Sequence, residues 1–239
     1  MKGFIMMTAA LMLTSANAAM ALGSRLPEES KQVTQPQEKQ EGLDAVQNIP
    51  TGFFLQPSQM SVNLSKYNHL DPKRLVPTKP LEQAVKFYDL NKSKIKNQRY
   101  ITIVDFTKRA STARMFLIDM STGAVRTFWV SAGKNSDPDN DGWATSFSNQ
   151  SGSNKSSLGF YLTGGLYNGG NGRSMYLHGL ESSNSNAYKR AIVMHGATYV
   201  SAGWAGRSLG CPAIEKQYVN DLLPKLTGGS LLYHYYNQK

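Results

Sequence analysis

The sequence predicts a mainly β domain, largely antiparallel, with a few helices at its periphery. Three observations carry that expectation. Short runs rich in β-branched and aromatic residues recur from Tyr100 to the C-terminus, each bounded by Gly, Asn, Asp or Ser. Only two stretches have apolar residues at helical spacing. Asp119-Met120-Ser121-Thr122-Gly123 supplies turn chemistry between two of the runs, which makes a hairpin.

In chain order, Lys2 is followed by an apolar run from Phe4 to Leu13 and then by small residues ending in Ala16-Asn17-Ala18 or Ala19-Met20-Ala21. A basic start, a short apolar core and an A-x-A site read as a secretory signal peptide over residues 1–21, and hence as export to the periplasm or cell envelope. The apolar run falls well short of the ~20 residues that span a bilayer, so stable membrane insertion is not expected. No cysteine lies near the cleavage site, which excludes a lipid anchor there.

Residues 22–60 are rich in Gln, Glu, Pro and Ser, and residues 61–79 are punctuated by Pro72 and Pro77. Low hydrophobicity cannot offset the entropy of ordering, so residues 22–79 read as a flexible spacer and lead-in. The folded domain is expected over residues 80–239. Leu81, Ala84, Val85, Tyr88 and Leu90 predict an amphipathic helix over Leu81–Lys94. Strands are expected at Tyr100–Phe106, Met115–Met120, Ala124–Ser131, Gly159–Thr163, Ser174–Leu180, Ala191–His195 and Ser230–Tyr236. A second helix is expected over Glu215–Leu223, ended by Pro224 and Gly228-Gly229.

The formal charge is +10, unevenly spread. Residues 22–60 carry three basic and five acidic side chains, whereas residues 61–239 carry 22 basic and 11 acidic, a balance of +11. A basic surface attracts polyanions. An exported protein meets cell-wall polymers and anionic headgroups, and no nucleic-acid-binding signature is present, so nucleic acid is not expected as a partner.

Cys211 is the only cysteine in the chain. Exported proteins use cysteines in pairs, as disulfides, and a single one cannot form an internal bridge. Gly210 before it and Pro212 after it place it in a turn. His195 stands sixteen positions upstream, at the end of the expected strand Ala191–His195, with four glycines between the two. An adjacent imidazole raises the thiolate fraction, and the tight Ser208-Leu209-Gly210-Cys211 turn can aim main-chain N–H groups at a developing oxyanion. The chain order excludes papain-like enzymes, where Cys lies far upstream of His, and caspase-like ones, where the gap is about 50 residues.

Other candidates are weaker. Asp137-Pro138-Asp139-Asn140-Asp141-Gly142 resembles the start of a calcium loop, but an EF-hand needs Glu at position 148, where this chain has Ser. With one cysteine there is no structural-zinc spacing, and no Gly-rich loop precedes a Lys-Ser/Thr pair, so neither metal nor cofactor is expected. His178, in Tyr176-Leu177-His178-Gly179, is either a second imidazole of the site or a structural histidine.

The stretch from His195 to Pro212 resembles the signature of the YkuD-like L,D-transpeptidases, which carry His-Gly and then, after a similar gap, Ser/Thr-His-Gly-Cys. The resemblance is closest to the murein L,D-transpeptidase catalytic domain branch, whose motif continues Cys-Pro-Ala. Ala144–Asn149, Ser156–Tyr161, Gly206-Arg207-Ser208 and Gly228-Gly229-Ser230 also resemble that branch. It implies an antiparallel β-sandwich or barrel with peripheral helices, acting on peptidoglycan stem peptides. It further implies Cys211 as acylated nucleophile, His195 as base, the Gly196 carbonyl as its orienting group, and Gly210 and Cys211 N–H groups as the oxyanion hole. Leu209 replaces a family histidine and Ala213 a frequent arginine. Arg207, Ser208, His178 and Tyr176 are the expected substrate contacts in their place.

Overall fold

The computed structural model describes residues 52–53 and 61–237. The expected signal peptide and most of the expected spacer lie outside the described residues. A 3-10 turn at Ser65–Tyr67 leads to helix α1, Thr78–Asn91. The strands follow as β1 (Tyr100–Asp105), β2 (Met115–Asp119), β3 (Val125–Phe128), β4 (Ala132–Gly133), β5 (Gly159–Gly169) and β6 (Gly172–Gly179). After them come β7 (Val193–Ala197), β8 (Val200–Ser201), β9 (Trp204–Ala205), β10 (Arg207–Ser208) and β11 (Ala213–Glu215). Helix α2 (Val219–Leu226) and β12 (Leu231–Tyr235) complete the fold.

Eight strands form one sheet in the order β11-β7-β6-β5-β12-β1-β2-β3. Most neighbours are antiparallel, but β1 runs parallel to β12 and β7 parallel to β11. The two edges curl toward each other: Val130, beyond β3, bridges Ile214 of β11, and Ser131 N–H donates to Ala213 O at 2.9 Å. The sheet is therefore nearly closed, a mainly β barrel-like architecture with short helices outside it. Closure covers the edges that an open sheet would leave unpaired.

Because side chains alternate across a strand, each central strand feeds two cores. Ile101, Ile103, Phe116, Ile118, Phe160, Leu162 and Leu231 join Ala84, Val85, Phe87 and Tyr88 of α1. Leu70 and Val76 of the preceding segment are buried in the same cluster. Val104, Met115, Leu117, Tyr161, Met175, Met194 and Leu232 form the other core with Leu222, Leu223 and Leu226 of α2. Burial on both faces explains why Met115–Ile118 reads as a continuous apolar run and why Ile103 and Val104 are apolar side by side.

Several element boundaries differ from the sequence expectation: β3 is Val125–Phe128, and β7 is Val193–Ala197, so His195 lies mid-strand and not at its end. Three further differences have a local physical cause. Helix α1 starts at Thr78 and ends at Asn91, because Pro80 is tolerated in a first turn whose N–H groups have no helical partner, and Lys92–Lys94 tighten into a 3-10 turn. Pro224 lies inside α2 and does not stop it; Leu222, Leu223 and Leu226 are fully buried, and that packing outweighs the missing hydrogen bond. β5 runs past Thr163 to Gly169, and Gly164-Gly165, which read as a strand end, form an irregularity between Thr163 and Leu166.

Candidate active site

His195 lies in β7, paired with Ala213 of β11 on one side and Ser174 of β6 on the other. Cys211 stands two residues before Ala213. It lies outside β11, in a turn closed by Ala213 N–H donating to Cys211 O at 3.1 Å. The thiol is held at the start of β7: Val193 N–H donates to Sγ, and Sγ also contacts Ala191 O, each at 3.5 Å. The pairing of β11 with β7 thus sets the thiol at Val193, two residues before His195 on the same strand, and both residues are buried, Cys211 2% and His195 1% exposed.

The imidazole is oriented by its own strand. His195 Nδ1 lies 3.1 Å from Gly196 O. A carbonyl can only accept, so Nδ1 carries the proton and Nε2 is the basic nitrogen.

Three buried serines hold the turn around Cys211. Ser208 Oγ donates to Cys211 O at 2.7 Å and accepts from Gly210 N–H at 3.0 Å. Ser131 Oγ donates to Cys211 O at 3.1 Å and accepts from Ala213 N–H at 3.0 Å. Ser156 Oγ donates to Gly210 O at 3.3 Å and accepts from Gly133 N–H at 3.0 Å. Gly210 has φ +125, and a methyl on it would come within 2.9 Å of Ile192 Cδ1 and of Lys155 O, so no larger residue fits.

These bonds correct two expectations. Gly210 N–H is committed to Ser208 Oγ, so it does not point toward an oxyanion; in the trans peptide that follows, the Cys211 N–H points opposite to the Gly210 carbonyl held by Ser156. Ser208 is fully buried, and its hydroxyl is used within the turn, so it is not placed as a substrate contact.

Arg207 is directed away from the thiol. Its Nη1 donates to Asp137 O at 2.5 Å, and Arg109 Nε donates to Asp141 O at 2.7 Å in the same loop. Asp137, Asp139 and Asp141 carboxylates lie within 4.8 Å of one another. Both Asp137 oxygens accept N–H groups of their own loop, Asp141 N and Gly142 N, each at 3.1 Å. Burial raises the Asp137 carboxyl above its ordinary range. The residue closes a turn.

Tyr176 and His178 lie on β6 within an aromatic group. Tyr176 stacks on Tyr167 with ring centres 4.4 Å apart, and His178 stacks on Tyr188 at 5.4 Å. Burial alone lowers His178 to about 4, so its ring is neutral. The Tyr167 phenol is pushed up to about 12, first by burial and next by the nearby Cys211. Sequence reasoning did not find Tyr167, Tyr188 or Arg190, nor the turn-holding serines 131 and 156. Ser156 lies in the family-like stretch Ser156–Tyr161, but nothing there ties it to Cys211, and no local motif marks the others, which come from strands and loops well separated from Cys211 in the chain.

A family model described as the L,D-transpeptidase catalytic domain matches residues 73–235, about two-thirds of the chain. The chain belongs to that family. Solved L,D-transpeptidase structures that resemble it include one from Mycobacterium smegmatis, 12% identical, covering 58% of this chain and 59% of that one with a TM-score of 0.37. L,D-transpeptidase 1 of Mycobacterium tuberculosis is 13% identical, with 58% and 62% covered and a TM-score of 0.32. The helical cell shape determining protein Pgp2 of Campylobacter jejuni is 14% identical, with 69% and 58% covered and a TM-score of 0.40. The chain spans about three-fifths of the length of these solved chains. No curated protein matches it by sequence. No described helix is long and apolar enough to cross a membrane.

Proposed function

We propose that this L,D-transpeptidase family member is a cysteine acyltransferase of the bacterial cell wall, acting outside the cytoplasmic membrane on peptidoglycan stem peptides. The observation that supports the reading is the buried Cys211 thiol at Val193, two residues along β7 from an imidazole whose tautomer is set by the Gly196 carbonyl. His195 Nε2 takes the Cys211 thiol proton, and the thiolate attacks the peptide carbonyl of the third, diamino-acid residue of a stem. The Cys211 N–H donates to the oxyanion that forms. As the C–N bond breaks, His195 Nε2 delivers its proton to the leaving D-amino acid, and a thioester remains. An amine from a second stem resolves the thioester and gives a cross-link.

Hydrolysis of the same thioester makes the enzyme an L,D-carboxypeptidase. The depth of the thiol favours transpeptidation, since Cys211 is 2% exposed and a thioester there is screened from bulk water. Excess positive charge in residues 61–239 suits an anionic wall polymer.

The test is incubation of the mature protein and its Cys211→Ala variant with purified tetrapeptide muropeptides, with products read by mass spectrometry. Dimers joined between two third residues identify the transpeptidase. Tripeptide with free D-alanine identifies the carboxypeptidase. The absence of any Cys211-dependent product, with wall binding unchanged in Cys211→Ala, identifies a non-catalytic peptidoglycan-binding module and overturns the enzymatic reading.

A further inference from the structure

Arg190 has no part in the acyl-transfer steps above, yet its guanidinium lies against the turn that carries the nucleophile. A methyl placed on Gly210 would come within 3.3 Å of Arg190 Nη2. On the other side, Cys211 Sγ contacts the carbonyl of Ala191, the residue that follows Arg190, and the N–H of Val193. Arginine and thiol therefore share one short segment from two directions.

The segment is rigid. Ala191 N–H donates to Tyr188 O and Ile192 N–H to Ala187 O, both at 2.9 Å. That double closure ends a helical turn with its penultimate residue in the left-handed region, and Ala191 indeed has φ +53. The side chain is fixed as well: Nη1 donates to Ser148 O at 2.7 Å, and Nη2 to Lys155 O at 2.5 Å and Ser153 Oγ at 3.2 Å.

All of these acceptors are neutral. Among the described residues no carboxylate is in ion-pair contact with Arg190, although the side chain is half-buried. A partly desolvated guanidinium without a counter-charge favours the ionised form of any acid beside it. Burial lowers the Arg190 pKa, while the Tyr161 phenol and the Cys211 thiol raise it. Burial holds Tyr161 protonated, far above its ordinary range, so it supplies no negative charge. The thiol is the remaining acid.

We propose that Arg190 is a positioning residue that holds Cys211 as its thiolate before substrate arrives, independently of His195. This rests on Cys211 being the nucleophile. It divides the work at the site: the Arg190 charge stabilises the thiolate, and His195 Nε2 holds the thiol proton and passes it to the leaving amine. The other titratable groups near the thiol are His195 from β7 and Tyr167 from β5. The Lys155 ammonium is on Ser146 Oγ at 2.6 Å, and only the main-chain oxygen of Lys155 joins the Arg190 cluster.

Cys211 is the only cysteine, so thiolate absorbance in the far ultraviolet reports on one residue. The titration is run on the whole mature chain, with Cys211→Ala subtracted to remove tyrosine ionisation. The wild-type midpoint is expected below the ~8.5 of a free thiol. Arg190→Gln is expected to raise it by roughly one pH unit. Arg190→Lys, which keeps the charge, is expected to hold it within about half a unit of wild type. His195→Asn is expected to leave it below the free-thiol value. The proposal is overturned by a wild-type midpoint at or above that value, or by an unchanged midpoint in folded Arg190→Gln. If Arg190→Gln does not fold, Arg190→Lys and His195→Asn decide: a rise of about one unit in either overturns the proposal. Muropeptide turnover is scored separately, so a depressed thiol with no turnover defeats the acyl-transfer reading alone.

Discussion

Ile101, Ile103, Phe160 and Leu231 turn to one side of the sheet and meet α1, while their chain neighbours Val104, Tyr161 and Leu232 turn to the other. On the α1 side the filling is hydrocarbon and aromatic rings, with Phe87 stacked on Phe160 at a centroid distance of 3.9 Å. On the other side the core includes Cys211, and the buried polar groups Ser157, His178, His195 and His234 lie close to it. His234 Nδ1–H donates to Ser157 O at 2.9 Å, and Tyr161 O–H donates to the same oxygen at 2.8 Å. Equal burial therefore has two meanings here. Both faces bury apolar area, and the second adds hydrogen bonds whose loss leaves a buried group unsatisfied. Chemistry belongs on the second, because directional bonds can hold a turn and a ring in one geometry.

Substitutions can break this contrast. His195→Ala is expected to reduce muropeptide turnover by roughly 10²–10⁴-fold in a steady-state assay, with a smaller effect on stability, since a general base and acid is lost from a preserved sheet. Phe87→Ala is expected to show the opposite pattern. It should cost about 3–5 kcal/mol in urea unfolding, and turnover per folded molecule should persist. A loss of turnover matching that of His195→Ala would show that the two faces are not separable.

The faces should also differ in pH response. His178 and His234 are each lowered to about 4 by burial, with the Ser157 carbonyl partly opposing the shift at His234. In the unfolded chain both titrate near ~6.5. Below that value the unfolded chain binds protons that the folded chain does not. Their contribution to stability is thus fully present above ~6.5 and is lost as pH falls toward about 4, by up to about 1.4 kcal/mol per pH unit for each ring. Unfolding curves across that window should show the slope, and His234→Phe should roughly halve it. Phe87→Ala should leave it unchanged.

Ser208→Ala is a smaller perturbation. It removes the acceptor of Gly210 N–H and a donor to Cys211 O, at an expected cost of about 1–3 kcal/mol in unfolding. Turnover should fall further than that stability loss explains, since the turn aims the nucleophile. The smallest effect is expected from Ala191→Gly. Ala191 has φ +53, and glycine relieves that strain, so the melting temperature should rise by the equivalent of less than about 1 kcal/mol.

What could be read from the chain alone is what local chemistry controls. The mainly β class, the hairpin at Asp119–Gly123 and the positions of most strands follow from period and turn residues. The expectation that His195 and Cys211 act together also rests on local spacing, because β7 and β11, which flank that stretch, pair with each other. The ends of α2 and β5 differ from the expectation, since Pro224 and the residues after Thr163 continue their elements where tertiary packing holds them. Only the folded sheet decided which side of each apolar run is which, because Ile103 and Val104 look alike in sequence and face opposite cores. The same holds for the surroundings of the thiol. Ser131, Ser156, Tyr167 and Arg190 reach Cys211 through strand pairing and loop closure over 21 to 80 residues of chain, as with Ser131 and Cys211 at a separation of 80. Arg207, three residues from Gly210, is drawn instead to the Asp137 loop. Spacing along the chain determined which residue could be the nucleophile, and three-dimensional closure of the barrel decided what surrounds it.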